Sequence, residues 1–144
     1  MEENYKDTRI IENLPIKIEK NTIIQNFCFE IGGHFGGYQK YEYKIKKGEK
    51  ILSYIEEGEE IFITFPLETT IKDEKFNEKT IEIIKYFHED FGENHDIIDG
   101  EWYEFKAKLS NGQKLKSSGY NYFPHTYNQF KEYLSILFKY EKYI

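Results

Sequence analysis

From Ile23 onward, polar and apolar residues alternate with period two. Ile23, Gln25, Phe27, Phe29 and Ile31 point one way and Asn26 and Glu30 the other, which predicts a half-buried strand. After a glycine-rich stretch, Tyr41, Tyr43 and Ile45 alternate with Lys40, Glu42, Lys44 and Lys46. A tight turn at Lys47-Gly48-Glu49 leads into a third strand, Lys50 to Ile55, and Glu57-Gly58-Glu59 turns into a fourth, Glu60 to Phe65, halted by Pro66. Turn signals about ten residues apart describe an antiparallel meander of four strands.

The period then becomes helical. Phe76, Thr80, Ile83, Ile84, Phe87 and Phe91 share one face of a helix expected between Asn77 and Phe91, with Asp73 or Asn77 capping its start and Gly92 ending it. Alternation returns from Trp102 to Leu109, with Tyr103, Phe105, Ala107 and Leu109 inward. Ser110-Asn111-Gly112-Gln113 then forms a two-residue hairpin turn, with positive φ expected at both Asn111 and Gly112, into a strand Lys114 to Ser118. Thr126 and Gln129 have the spacing of a capping box. Tyr127, Phe130, Leu134, Leu137 and Phe138 form the apolar stripe of a last helix.

Four strands, helix, two strands and helix predict an α+β domain, an antiparallel sheet with both helices packed on one face. Residues 1–22 read as an N-terminal arm with at most a short strand around Ile16 to Ile18, and 23–144 as a single domain, which suits a chain of 144 residues. Composition agrees: 18% of residues are aromatic and 20 are isoleucine, enough bulky material for a core. The absence of valine and the excess of lysine over the lone Arg9 reflect A/T-rich coding rather than a demand of the fold.

Several function classes drop out. The longest apolar runs are four or five residues, far short of the roughly 20 that cross a bilayer, and residues 1–20 lack a signal-peptide core, so the reading is a cytoplasmic protein with no membrane partner. Cys28 is the sole cysteine; alone it makes neither an internal disulfide nor a multi-cysteine zinc site, and it reads as a buried structural thiol. Gly32-Gly33-His34-Phe35-Gly36-Gly37 feeds a strand instead of a helix, so it is not a phosphate loop. It reads as a wide turn, or alternatively as part of a ligand site made by His34, Gly36 and Gly37 with His88 and His95. The seven-residue gap from His88 to His95 matches no zinc or calcium spacing, so no metal and no cofactor are expected. No two carboxylates are marked out for acid/base work and no Gly-x-Ser-x-Gly elbow exists, so an enzyme is not expected.

Charge is more informative. Residues 1–55 hold nine basic and eight acidic residues, 56–104 four and 16, and 105–144 seven and two, for a net -6. The expected helix displays Glu78, Glu82 and Glu89 opposite its apolar stripe, and Asp90, Glu93, Asp96 and Asp99 follow. With Trp102 as an aromatic anchor, these residues form a candidate docking surface for a protein with a basic face. They would repel phosphates, which makes direct nucleic-acid binding unlikely, while Lys106, Lys108, Lys114 and Lys116 line the outward face of the final hairpin.

Asp99-Gly100-Glu101-Trp102, the Asn111-Gly112 turn and Ser117-Ser118-Gly119-Tyr120-Asn121-Tyr122-Phe123-Pro124 before a helix resemble a pattern in small uncharacterised bacterial α+β proteins. The resemblance spans about residues 99–140 and implies architecture, a strand-to-helix corner, with no activity attached. On these grounds the expected function is a non-enzymatic protein-binding inhibitor of a basic bacterial nuclease or toxin, in the manner of immunity or phage anti-defence (anti-CRISPR-like) proteins. The alternative is a small-ligand-binding or hydrolytic domain built on the glycine-rich loop and histidines.

Overall fold

The computed structural model describes residues 9–33, 37–58, 66–96 and 100–142. Its elements are β1 (Ile24–Gly33), β2 (Tyr38–Lys46), β3 (Glu49–Glu57), β4 (Leu67–Thr70), α1 (Phe76–Ile84), β5 (Asp90–Glu93), β6 (Glu101–Leu109), β7 (Lys114–Tyr120) and α2 (Tyr127–Lys142). The protein is α+β, with a seven-stranded sheet in the order β4-β3-β2-β1-β6-β7-β5. All neighbours pair antiparallel except β5, which runs parallel to β7. The sheet is therefore mixed, where a purely antiparallel one was expected.

Both helices lie on one face. Phe27 and Tyr43 are cross-strand partners; Tyr43 packs at a tilt against Phe76 of α1 and Phe27 against Phe130 of α2. Phe29 sits at the centre, with Phe87, Tyr127 and Phe130 rings 4.7–6.0 Å away. These rings are fully buried or nearly so.

The strand register departs from simple alternation in β1. Ile24 pairs with Leu109 and Asn26 with Lys108, so Gln25 is an extra residue, a bulge. It reverses parity: Ile24 is fully buried, whereas Ile23 and Gln25, both expected inward, are exposed. Ile45 is also exposed, beyond the last β1–β2 pair at Asn26 and Lys44.

Turn chemistry differs as well. Lys47 and Gly48 both have positive φ (52° and 79°) and close the β2–β3 hairpin between paired Lys46 and Glu49. At the β6–β7 hairpin only Gly112 has positive φ (92°), and its amide donates to Leu109 O while Leu109 N donates to Gln113 O. That is a three-residue turn ending in a glycine bulge, not the two-residue turn expected. The expected fourth strand, Glu60 to Phe65, lies outside the described residues; β4 follows Pro66.

The first helix is shorter than its periodicity. It ends at Ile84, so Glu89 and Phe91 are not helical and Gly92 is not its terminator. The β7 edge explains why: Ser118 N donates to Glu89 O and Asn94 N to Tyr120 O, so residues 89–94 satisfy strand backbone groups that a longer helix would leave unpaired. Neither expected cap forms a side-chain cap. Asp73 accepts from Lys75 N, and Asn77 bridges to the sheet, accepting from Ile24 N and donating to Thr22 O, each at 2.8 Å. Thr126 donates its hydroxyl proton to Ile83 O (2.6 Å), tying the start of α2 to the end of α1.

The described part of the arm, 9–22, forms no strand at Ile16 to Ile18. Ile10 bridges Phe123, Ile16 N donates to Lys85 O, and Ile10, Ile16 and Ile18 pack against the core. Among the described residues no helix is long and apolar enough to cross a membrane.

Candidate functional site

The helices cover one face of the sheet; on the other, β2, β1, β6 and β7 present exposed and half-buried side chains that register specifies, whereas Ser53 of β3 is buried there. Across β2, β1, β6 and β7 the outward rows read Tyr38, Gly32, Trp102, Tyr120; then Lys40, Glu30, Glu104, Ser118; then Glu42, Cys28, Lys106, Lys116; then Lys44, Asn26, Lys108, Lys114. Asp90 and Glu93 of β5 extend the first two rows beside Ser118 and Tyr120.

The first row is aromatic. Trp102 lies flat over Gly32, where an added Cβ would meet the indole at 2.1 Å, and its ring centroid is 6.3 Å from Tyr38. Gly100 makes room for the Tyr120 phenol in the same way, and His95 lies 5.6 Å from that ring. All three aromatics are half-buried.

The charges are segregated along the strands. Glu30 faces Glu104 directly, while Lys106 faces Lys116 and Lys108 faces Lys114. Like charges directly opposite destabilise a sheet. Among the described residues neither Glu104 nor any of these four lysines makes an ion pair; Glu30 accepts from Tyr38 OH at 2.5 Å. Between the two halves Cys28 is half-buried, and burial together with Glu30 pushes its thiol up to about 11.

The structure divides the predicted acidic set. Asp90 and Glu93 lie on the edge of the open face, Glu93 in line with Trp102 and Asp90 in line with Glu104. Glu78 and Glu82 are exposed on α1, in the helical layer, and Glu82 pairs with Lys85 at 2.7 Å. Glu89 follows the helix and accepts from Asn13 at 3.2 Å; Asp96 is exposed in the turn after β5, and Asp99 lies outside the described residues.

The histidine set is not assembled into one site among the described residues. His34 and Gly36 lie outside them. His88 contacts Leu14 O at 2.8 Å, His95 contacts Glu93 at 2.6 Å, and Gly37 precedes β2, separated from β5 by β1, β6 and β7, or about 19 Å at normal strand spacing. Among the described residues no group of three or more His, Cys, Asp and Glu could hold a metal ion.

A second concavity lies under α2. A cavity of about 770 Å³ opens between α2 and β2–β4, walled by Ile31, Tyr41, Tyr54, Leu67 and Phe138, with Gln39, Asn128, Lys131 and Ser135 among its polar groups. Gln39 donates to Tyr54 OH (2.9 Å), which donates to Glu56 (2.6 Å); burial raises the Tyr54 phenol and pushes that of Tyr41 up to about 12. At its rim Lys131 pairs with Glu101 at 3.0 Å, and Tyr127 donates to the same carboxylate.

Comparison with family models, with curated proteins and with solved structures returned no match. The open face and the cavity therefore stand on geometry alone. Sequence reasoning missed Tyr38, Tyr120, Glu30 and Glu104 as neighbours of Trp102. Their outward parity was legible, but their adjacency depends on β1 lying between β2 and β6. Nothing in the sequence marked the cavity, whose walls come from five separate elements.

Proposed function

We propose that this protein acts by binding another protein, as an inhibitor of a basic bacterial nuclease or toxin in the manner of immunity or phage anti-defence proteins. One observation carries the reading: Asp90, Glu93 and Glu104 border a row of half-buried aromatics, Tyr38, Trp102 and Tyr120, on an open sheet face. Half-buried aromatic anchors supply contact area, and the exposed carboxylates beside them steer a basic partner and penalise acidic ones. Glu78 and Glu82 belong to another surface and are left out of this site.

The test is inhibition and binding against basic nucleases and toxins encoded beside its gene. A stable complex weakened about tenfold or more by the triple charge reversal Asp90→Lys, Glu93→Lys, Glu104→Lys supports the reading. Complexes indifferent to that reversal and to Trp102→Ala, or no complex with any such neighbour, overturn it.

The cavity under α2 favours a second reading, a small-ligand-binding domain, because its volume and apolar walls fall within the range of small-molecule sites. This moves the ligand alternative away from the glycine loop and histidines. A thermal-shift screen of amphipathic aromatic compounds tests it: shifts abolished by Ser135→Trp support it, and shifts that survive that filling substitution refute it.

A further inference from the structure

We infer that the open sheet face is self-complementary and that two copies of this chain pack face to face across it as a two-fold dimer. The inference goes beyond the binding function proposed above and does not rest on it.

The argument starts from segregation. The two rows nearest Trp102 carry Glu30, Glu104, Asp90 and Glu93 with one lysine, Lys40; the two rows beyond carry Lys44, Lys106, Lys108, Lys114 and Lys116 with one carboxylate, Glu42. A face built only for solubility gains by interspersing signs, and direct Glu–Glu and Lys–Lys opposition costs stability. The cost is recovered when each half meets the opposite charge on another surface.

A second copy presents that surface. Place a two-fold axis in the plane of the interface, running across the strands between the Glu30–Glu104 row and the Cys28–Lys106 row. Each row then faces its mirror row: Glu104 meets Lys106 of the second copy, and Lys40 meets Glu42 of the second copy. Trp102 meets Lys108 and Tyr120 meets Lys114 of the second copy, both with the sign needed for cation–π contact. Even the exceptions to the segregation, Lys40 and Glu42, match each other under this operation. The strands of the two sheets stay nearly aligned, as packed sheets prefer.

Area is adequate. Four strands of about eight residues and the four-residue β5, at about 4.8 Å spacing and about 3.4 Å rise, give about 590 Å² per copy, or about 1,200 Å² in total, at the lower limit of the range for specific interfaces. An interface this charged should weaken steeply with salt. Since it covers Trp102 and Glu104, a heterologous partner at that site would compete with the second copy.

The experiment is sedimentation equilibrium on the full chain with a charge-swap pair. Wild type is expected to dimerise in the micromolar range at about 50 mM salt and at least about tenfold more weakly at about 500 mM. Lys106→Glu with Lys108→Glu, and separately Glu30→Lys with Glu104→Lys, are each expected to be monomeric at about 100 µM with unchanged far-ultraviolet circular dichroism. Mixing the two variants should restore a dimer, because position 106 of one then meets position 104 of the other with opposite charge, as in the wild type. A monomeric wild type at low salt, variants that remain dimers, or a folded mixture that stays monomeric each overturn the proposal. Binding of single-stranded DNA or a basic protein by a monomeric wild type would assign the face to that occupant instead.

Discussion

Gly32 gives the sharpest test of how the open face is built. Its backbone is ordinary strand, but a Cβ there would lie 2.1 Å from Trp102 Cε2 and Nε1, inside a rigid ring. In Gly32→Ala the indole must shift or swing out. Overpacking of this kind costs about 1–3 kcal/mol, and exposing about 100 Å² of indole would cost about 2.5 kcal/mol. Replacing a strand glycine by alanine recovers about 0.5–1 kcal/mol of backbone entropy, so the net loss should be about 1–2 kcal/mol. For a chain of this size that lowers Tm by about 2–8 °C. Trp102 is the only tryptophan, so its emission should shift to the red in the same variant. The decisive measurement is the double-mutant cycle: with Trp102→Ala already present, Gly32→Ala meets no ring and should leave Tm unchanged or raise it. An equal loss in both backgrounds would place the effect in the backbone, and the packing argument would fail.

Other expectations follow from single contacts. Asn77→Ala removes two 2.8 Å hydrogen bonds joining α1 to Thr22 and Ile24 and should cost about 1–3 kcal/mol by urea denaturation; a loss below about 0.5 kcal/mol would show that water replaces them. Thr126→Val, which keeps shape but loses the bond to Ile83 O, should cost about 1 kcal/mol, and no cost would mean the helices are held by packing alone. Cys28, pushed up from 9.0 to about 11, holds about 100-fold less thiolate near neutral pH, so iodoacetamide should label it about 100-fold faster in urea than in the native chain, and equal rates would refute its burial. Burial pushes Tyr41 and Tyr43 up to about 12 and raises Tyr103 and Tyr127 as well. An unfolded phenol ionises near about pH 10, so from there to about pH 12 the unfolded chain loses protons that the folded chain keeps, and stability falls as pH rises. Phenolate absorbance at alkaline pH should therefore rise in step with unfolding; a full rise while circular dichroism stays native would contradict this.

Where one strand or helix face carries its own signal, the sequence was sufficient. The inward set Tyr103, Phe105, Ala107 and Leu109 of β6 is buried, and so are Tyr127, Phe130 and Leu134 of α2, because period-two and period-3.6 burial need only one neighbouring layer. The α+β class followed from the order of those periods. Wherever two distant segments compete for the same groups, the tertiary structure decided. The Gln25 bulge exchanges Ile23 for Ile24 in the core, and α1 stops at Ile84 because the β7 edge takes up the backbone of residues 89–94. The parallel β5 follows from that capture and splits the acidic residues that the sequence had grouped into one docking surface. The same limit holds for function: the sequence determined which residues point outward and their charges, while only strand order set Trp102 beside Tyr38 and Tyr120 and divided the open face into an acidic and a basic half. Periodicity is written along the chain, whereas adjacency arises from hydrogen bonds between segments far apart in sequence, such as Ile24 with Leu109 and Ile11 with Phe123.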